Sequence, residues 1–353
     1  MAHEPFLIYG VNGFTGRLIA ERAKARGLRP IVAGRSRPAV EELGNRLGFE
    51  TRVFDLEAPG AVLEGIRGAR LVLHCAGPYS ATSRPMVDAC LQAGAHYLDI
   101  TGELGVLEAV LARDAEARAA KVALLPAVGF DVIPTDCMAK TLQEELPDAT
   151  RLELGFSAGT QPSPGTAKTA VEGLAIGALV RENGALVTLP RPRTRDIPFE
   201  RGPRFAMSIP WGDLVTAHHS TRIPTITVYM EVPPGVARSA SMLKYVAPIL
   251  RMPSVVRFLK RTVEKRAKGP TETQRTTERM RIWGRVENAA GKAVDGHLDV
   301  SEGYELTVAG ALAAAERVLG GEVPPGATTP SLAFGADFVT TLPGSSGFRL
   351  VHS

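Results

Sequence analysis

Residues 6–20 read FLIYGVNGFTGRLIA, and this stretch restricts the fold more than any other. A short apolar run reads as a strand. Three equally spaced glycines, Gly10, Gly13 and Gly16, follow it at once, and then a helical pattern begins. In that order the three pieces make a phosphate-binding turn. Gly10 permits the tight exit from the strand, Gly13 lets the main chain approach a pyrophosphate with no Cβ in the way, and Gly16 lets the helix pack closely on the sheet. The helix N-terminus aims unpaired N–H groups and a partial positive charge at the phosphates. Asn12, Phe14 and Thr15 fall in the same cofactor-binding segment. The spacing departs from the commoner Gly-x-Gly-x-x-Gly form, and a glycine-rich turn without a ligand is the competing reading.

From residue 5 to residue 150 strands and helices alternate. Strand patterns lie in PFLIYG, RPIVAGR, ETRVFD, ARLVLHCAG, AHYLDIT and VALLPAVG. Helical patterns lie between them, with SRPMVDACLQAG one helix and GVLEAVLARDAEARAAK another. Strands joined by single helices require right-handed crossovers, which gives a parallel sheet covered on both faces. The fold class is α/β: an N-terminal Rossmann, doubly wound parallel sheet over 1–150, then a second α+β domain over 151–302. In that second part RLELGFSAG and RIPTITVYMEV read as strands, and RMRIWGRVENAAGKAVDGHLDV reads as a hairpin. SPGTAKTAVEGLAIGALVRENG reads as a helix capped by Ser163, opened by Pro164 and closed before Gly184. The Pro/Arg-rich stretch LPRPRTRDIPFERGPRF is loop or edge strand, because proline cannot donate to a ladder. Residues 303–353 form a helix and tail.

The end of the second strand decides between cofactors. A dinucleotide site for NAD places Asp or Glu there for the ribose 2′-OH. This chain has Gly34, Arg35, Ser36 and Arg37. Two guanidiniums and a hydroxyl suit a 2′-phosphate, which predicts NADP(H) over NAD(H). Asp55, after the third strand, accepts from the adenine amino group or caps its own loop. After the fourth strand, Ala76, Gly77 and Pro78 turn the chain beneath the nicotinamide half.

Composition narrows the remaining classes. The 353 residues are 44% hydrophobic and 22% charged with a net charge of +4, a mild excess that argues against a nucleic-acid partner. The N-terminus lacks a signal-peptide pattern, and no run is apolar enough to span a bilayer, so cytoplasm is the expected compartment. Cys75, Cys90 and Cys137 are odd in number and widely spaced, as reduced core thiols are. His96 reads as a partly buried strand residue. His218 and His219 are adjacent and on a strand would face opposite ways, a poor metal pair, so no metal site is supported. The basic, amphipathic stretch 243–269 reads as a solvated helix face or as a peripheral contact with a membrane or acyl chain.

YGVNGFTGRLIAE, AGRS, HCAGPYSATSRPMVDACLQAGAHYLDITGE and AVGFDVIPTDCMAK occur in that order, and together they resemble the saccharopine dehydrogenase-like oxidoreductases. The closer likeness is to the branch that contains trans-acting enoyl reductases. The resemblance covers about residues 6–140 and extends more weakly to SPGTAKTAVEGL, GYELTVAGALAAAERVL and TPSLAFGADFV. It implies NADP(H), a central substrate and dimerisation domain, a homodimer, and a C-terminal helix and tail that return to the Rossmann domain.

Hydride transfer belongs to such a cofactor; the protein positions the substrate and handles a proton. The candidate catalytic residues lie on loops after strands four to six: Tyr79, Glu103 and Asp131, with Asp99 and Asp136 nearby. Glu103 is a proton donor or a helix N-terminal carboxylate. Asp131 is a substrate ligand or holds its loop by Asx-type bonds. Tyr79 donates to a carbonyl or packs. Three functions follow: an NADPH-dependent reductase of a hydrophobic, lipid-like enoyl or carbonyl small molecule; a non-catalytic NADP(H)-binding sensor or membrane-associated scaffold; and a saccharopine-type amino-acid dehydrogenase.

Overall fold

The computed structural model describes residues 5–157, 159, 161–167, 177–199, 202–235, 255, 262 and 267–353. The chain divides into two compact units, Met1–Asp131 with Tyr304–Phe334, and Val132–Gly303 with Gly335–Ser353.

The first unit alternates as its apolar runs dictate: β1 (Phe6–Tyr9), α1 (Phe14–Ala25), β2 (Ile31–Gly34), α2 (Arg37–Leu47), β3 (Thr51–Val53), α3 (Pro59–Gly65), β4 (Leu71–His74), α4 (Tyr79–Ala93), β5 (His96–Asp99), α5 (Leu104–Leu111), α6 (Asp114–Ala120) and β6 (Ala123–Leu125). β1, β2 and β4 are buried along their whole length, as strands covered on both faces must be. The sheet is parallel throughout, and its order is β15-β6-β5-β4-β1-β2-β3. The strand order reverses between β1 and β4, so a crevice opens beyond their carboxyl ends. The last strand, β15 (Gly326–Ala327), enters from the far end of the chain. So does the helix Gly303–Leu319, here α10, which lies along α1. Arg22 pairs with Glu305 at 2.5 Å, Arg26 with Glu316 at 2.6 Å, and the Phe14 and Tyr304 rings meet edge-on at 5.0 Å.

The second unit opens with α7 (Ile133–Glu145) and β7 (Ala149–Phe156) and continues through β8 (Ala178–Glu182), β9 (Ala185–Leu189), β10 (Thr194–Ile197), β11 (Arg204–Ser208), α8 (Asp213–Thr221) and β12 (Thr225–Glu231). After α9 (Glu272–Thr277) come β13 (Arg279–Asn288) and β14 (Ala293–Ser301), and β16 (Arg349–His352) ends the chain. The main path of this mixed sheet is β10-β11-β12-β7-β13-β14-β16. β10 is an edge strand, in keeping with its proline-rich surroundings. α7 packs on this sheet because two strand glycines make room for it. A Cβ on Gly284 would stand 2.7 Å from Leu142 and Met138, and one on Gly296 would stand 2.5 Å from the Met138 sulfur. This contact assigns α7 to the second unit, although the sequence reading placed 132–150 in the first. Residues 303–353 are likewise divided, with 304–334 in the first unit and 335–353 in the second.

Three local expectations differ from the structure. Residues 164–167 are helical, and Ser163 Oγ accepts from Thr166 N at 3.2 Å, but Ala178–Glu182 is strand β8 rather than the end of that helix. Asn183 (φ 49) and Gly184 (φ 82) both take positive φ, the conformation of a two-residue hairpin turn, and this turn pairs β8 with β9. The helix expected over 105–121 breaks at Arg113 (φ −91, ψ 20), whose guanidinium joins Asp88 of α4 to Glu116 of α6. His218 and His219 lie on helix α8, where His218 Nδ1 bonds the Ile223 carbonyl at 2.9 Å. The basic stretch 243–269 lies almost wholly outside the described residues, as do 168–176. Among the described residues no helix is long and apolar enough to cross a membrane.

Replacing Gly284 with Val forces a side chain into the Met138–Leu142 contact. Thermal unfolding should show a loss of about 1–3 kcal/mol with an otherwise native circular dichroism spectrum. An unchanged melting temperature would contradict the packing of α7 described here.

Candidate dinucleotide site

The three glycines converge on one peptide group. Gly10 has φ +92, and a Cβ there would lie 2.8 Å from Ala76 and from the Cys75 carbonyl carbon. A Cβ on Gly16 would stand 2.5 Å from the Gly10 oxygen, and one on Gly13 would stand 3.2 Å from the same atom. The Gly13 N–H donates to that oxygen at 2.9 Å. Gly16 therefore serves the approach of α1 to the turn itself, rather than to the sheet at large. The chain wraps around the Gly10 carbonyl where β1 and β4 diverge, and Gly10 N is anchored to the Ala33 oxygen of β2 at 2.8 Å. Gly13 is the N-cap of α1. No side chain caps this helix, and its first turn holds no acid. The first-turn residues Phe14, Thr15 and Gly16 thus start a helix whose positive end carries no built-in counter-charge. Asn12 sits in the turn, with its Oδ1 3.2 Å from where a Gly34 Cβ would be.

At the end of β2, Arg35 is exposed and makes no ion pair among the described residues. Arg37 pairs with Glu41 at 2.9 Å, one helical turn on. Ser36 is the N-cap of α2, and its hydroxyl makes no capping bond. Of the two guanidiniums, Arg35 is the one left available to an anion. Asp55 Oδ1 accepts from Glu57 N at 2.6 Å, so this carboxylate shapes its own loop, as the capping alternative expected.

The turn after β4 is held by two residues that the sequence did not single out. Thr82 donates to the Ala76 oxygen at 2.6 Å, and its hydroxyl oxygen lies 3.0 Å from His74 Nε2. That hydroxyl has one proton, so Nε2 is the donor to it, and the buried Nδ1 has no partner among the described residues. Burial lowers the His74 pKa to about 3, which keeps the ring neutral beneath Ala76, Gly77 and Pro78. No sequence signal marks the pair, because the bond joins a strand end to the helix beyond the turn.

The catalytic candidates separate by what their polar atoms touch. Glu103 accepts from Tyr79 N and Ser80 N, both at 2.8 Å. It thereby caps the N-terminus of α4, which explains why that helix starts at Tyr79 and not at Ser83. The helix-terminus alternative for Glu103 is thus the geometry found, on a helix neighbouring its own. The Tyr79 hydroxyl is buried and donates to the His74 carbonyl at 3.2 Å, and its ring meets His74 edge-on at 5.4 Å. This is the packing alternative. Asp99 is fully buried and accepts from Tyr97 Oη at 2.7 Å, Thr101 N at 3.0 Å and Ala127 N at 2.8 Å. Ala127 itself has φ +61, so Asp99 holds a strained residue at the end of β6. Asp136 lies in the second unit and accepts from Ser220 at 2.6 Å, tying α7 to α8.

Asp131 differs from all of these. It is half-buried, its Oδ2 stands 2.8 Å from where a Gly102 Cβ would be, and no hydrogen bond reaches its carboxyl among the described residues. Burial raises its pKa from 3.8 to about 6. It follows β6 as Gly102 follows β5, so it stands at the carboxyl edge of the same sheet as the glycine turn.

These residues fit a dinucleotide: a turn kept clear of Cβ atoms, an uncapped helix end, and at the end of β2 a guanidinium with no ion pair among the described residues. Residues 6–125 match the family model of the saccharopine dehydrogenase NADP binding domain. A saccharopine dehydrogenase-like oxidoreductase of Homo sapiens is 32% identical over 150 residues, which is 37% of this chain and 35% of that protein. A trans-acting enoyl reductase of Mycobacterium leprae (strain TN) is 33% identical over 139 residues, 37% of this chain and 33% of that protein. The chain thus spans about a third of the length of the curated relatives it matches. Apo saccharopine dehydrogenase (L-Glu forming) of Saccharomyces cerevisiae shares the fold, with a TM-score of 0.68 at 12% identity over 99% of this chain and 100% of that one.

Two outcomes test the site. Arg35→Ala should weaken NADPH binding about tenfold or more in a calorimetric titration while leaving NADH nearly unchanged; equal losses would contradict the role of Arg35. Asp99→Ala strips Thr101 N and Ala127 N of their acceptor, and it should lower stability by about 2–4 kcal/mol in urea unfolding.

Taken with that geometry, the match of residues 6–125 to the saccharopine dehydrogenase NADP binding domain indicates NADP(H) as the cofactor of this part of the chain.

Proposed function

We propose that the protein is an NADPH-dependent oxidoreductase that reduces a hydrophobic enoyl or carbonyl compound, with Asp131 handling the proton. The observation that carries this is the state of Asp131: a half-buried carboxyl with no hydrogen-bond partner among the described residues, its pKa raised to about 6, at the carboxyl edge of the cofactor-binding sheet. The names of the relatives, a saccharopine dehydrogenase-like oxidoreductase and a trans-acting enoyl reductase, support the reaction class.

NADPH, when bound, supplies the hydride. The chain's own residues do the rest. The Gly10–Gly16 turn and the N-terminus of α1 hold the diphosphate, and Arg35 holds the 2′-phosphate. Thr82 and His74 fix the Ala76–Pro78 turn, and Glu103 fixes the start of α4 behind it. Asp131 holds a proton at its carboxyl through mildly acidic pH and can give it to the atom that gains electron density. Carboxylates already bonded by several donors are poorer candidates for that step, and Glu103 and Asp99 are both so bonded.

The test is loss of NADPH absorbance with enoyl thioesters, ketones and saccharopine as a panel. Turnover with an enoyl thioester or a ketone supports the proposal. Turnover with saccharopine or lysine-derived imines alone replaces it with an amino-acid dehydrogenase. Nucleotide binding with no turnover across the panel favours a sensor or scaffold. If Asp131 is the acid, kcat falls as pH rises through about 6, because the protonated form is the active one. Asp131→Asn should lower kcat by about 100-fold or more and flatten that profile. A variant that kept the wild-type pH limb would remove Asp131 from the step.

A further inference from the structure

The second unit holds a guanidinium, that of Arg281, which forms no ion pair among the described residues. Arg281 is on β13, cross-strand from Ser157 just beyond β7 and from Asp299 on β14. Its main chain is fully engaged there: Ser157 N donates to the Arg281 oxygen, and Arg281 N donates to Ser157 Oγ, both at 2.9 Å. Its side chain is not. Nη1 is shut off from solvent without a hydrogen-bond partner, and no ion pair forms with Asp299. The guanidinium carbon instead stands 6.0 Å from the centre of the Phe199 ring, at the outer limit of a cation–π contact. Phe199 belongs to a buried apolar cluster with Ile197, Ala206, Tyr229 and Trp283.

Neighbouring arginines on this sheet are used differently. Arg195 pairs with Glu153, Arg285 with Asp295 and Arg193 with Glu182, while Arg204 stands 3.8 Å from Glu231. Ser157 supplies a second observation at the same place. It is only 2% exposed, and its Oγ accepts from Arg281 N while its own proton has no acceptor among the described residues. Arg281 as a whole is part-buried, but a guanidinium nitrogen shut off from solvent without a hydrogen-bond partner is costly and persists where something compensates for it. A guanidinium nitrogen without a partner near an aromatic ring, and a hydroxyl proton without an acceptor on the residue bonded to the same main chain, suit an oxyanion attached to an apolar chain.

We propose that Arg281, with Ser157 and the Phe199 ring, forms a binding site for the carboxylate of a ligand with an apolar chain. The guanidinium takes the charge, the Ser157 hydroxyl adds one hydrogen bond, and the phenyl ring packs on the first carbons of the chain. Because this site lies wholly in the second unit, the Asp131 chemistry stands or falls separately.

The test uses the full chain and three probes, hexanoate, acetate and inorganic phosphate, titrated by calorimetry into the wild type, Arg281→Met and Arg281→Lys. The wild type should bind hexanoate saturably and more tightly than acetate or phosphate. Arg281→Met should lose at least about tenfold in hexanoate affinity, and Arg281→Lys should fall between, since it keeps the charge without the planar fork. In buffer free of these anions, Arg281→Met should melt at or above the wild-type temperature, because it removes an uncompensated charge. Should Arg281→Met fail to fold, Ser157→Ala and Arg281→Lys carry the comparison. No saturable hexanoate binding by the wild type, or unchanged affinity in the variants, overturns the site. Phosphate binding as tight as hexanoate overturns its assignment to a carboxylate with an apolar chain.

Discussion

The carbonyl of Gly10 is the point around which the first unit is assembled. Its oxygen takes the Gly13 N–H, and it lies where Cβ atoms on Gly13 and Gly16 would press. The residue that carries it sits at φ +92 against Cys75 and Ala76, just beyond the neighbouring strand. Equal spacing of three glycines is what lets a chain leave β1, fold over that one peptide and start α1 within a single turn. The same crowding leaves the helix end bare, with neither a capping side chain nor an acid. A bare helix end is a modest stability loss for the protein alone and a gain once a diphosphate arrives.

The loops at the other carboxyl ends are locked by carboxylates acting at a distance from their own elements. Glu103 serves the start of α4, and Asp99 gathers Tyr97, Thr101 and Ala127. Both use their acceptor capacity on main-chain N–H groups, which gives rigidity rather than reactivity. Asp131 is placed in the same region and spared that duty. Burial raises its pKa to about 6, as it raises that of Asp99 despite that residue's donors. What sets Asp131 apart is a carboxyl that no hydrogen bond reaches among the described residues. The contrast among three acids within one sheet edge is what separates scaffold from chemistry.

Much of the first unit was legible in the sequence. Apolar runs such as LVLH and the glycines Gly10, Gly48 and Gly94 mark its strands, its exits and its helix ends without ambiguity. The cofactor was legible too, because Arg35 stands where an acid would select NAD. What escaped detection was non-local or masked by stronger patterns. ALVRENGALV carries an Asn-Gly turn between two short Ala-Leu-Val runs, but a long helical pattern before it drew Ala178–Glu182 into the helix. Helix α7 follows β6 as a crossover helix would, and only Gly284 and Gly296, more than a hundred residues later, reveal the sheet it packs on. No single-sequence pattern could show that Glu103 caps α4, or that Arg281 forms no ion pair among the described residues while its neighbours have theirs.

The most direct measurement is made on Gly13→Asp. Gly13 has φ −78 and ψ 163, an extended conformation open to any residue, and a Cβ there meets the Cys75 oxygen at 3.9 Å and presses on the Gly10 oxygen at 3.2 Å, a contact that a shift of a few tenths of an ångström relieves. An aspartate at this N-cap supplies the missing cap and counter-charge to α1, so the fold should hold and melt no lower than the wild type. The same carboxylate occupies the place assigned to the diphosphate, and NADPH affinity should fall by about 100-fold or more. A well-folded variant that still binds NADPH as the wild type does would contradict the account.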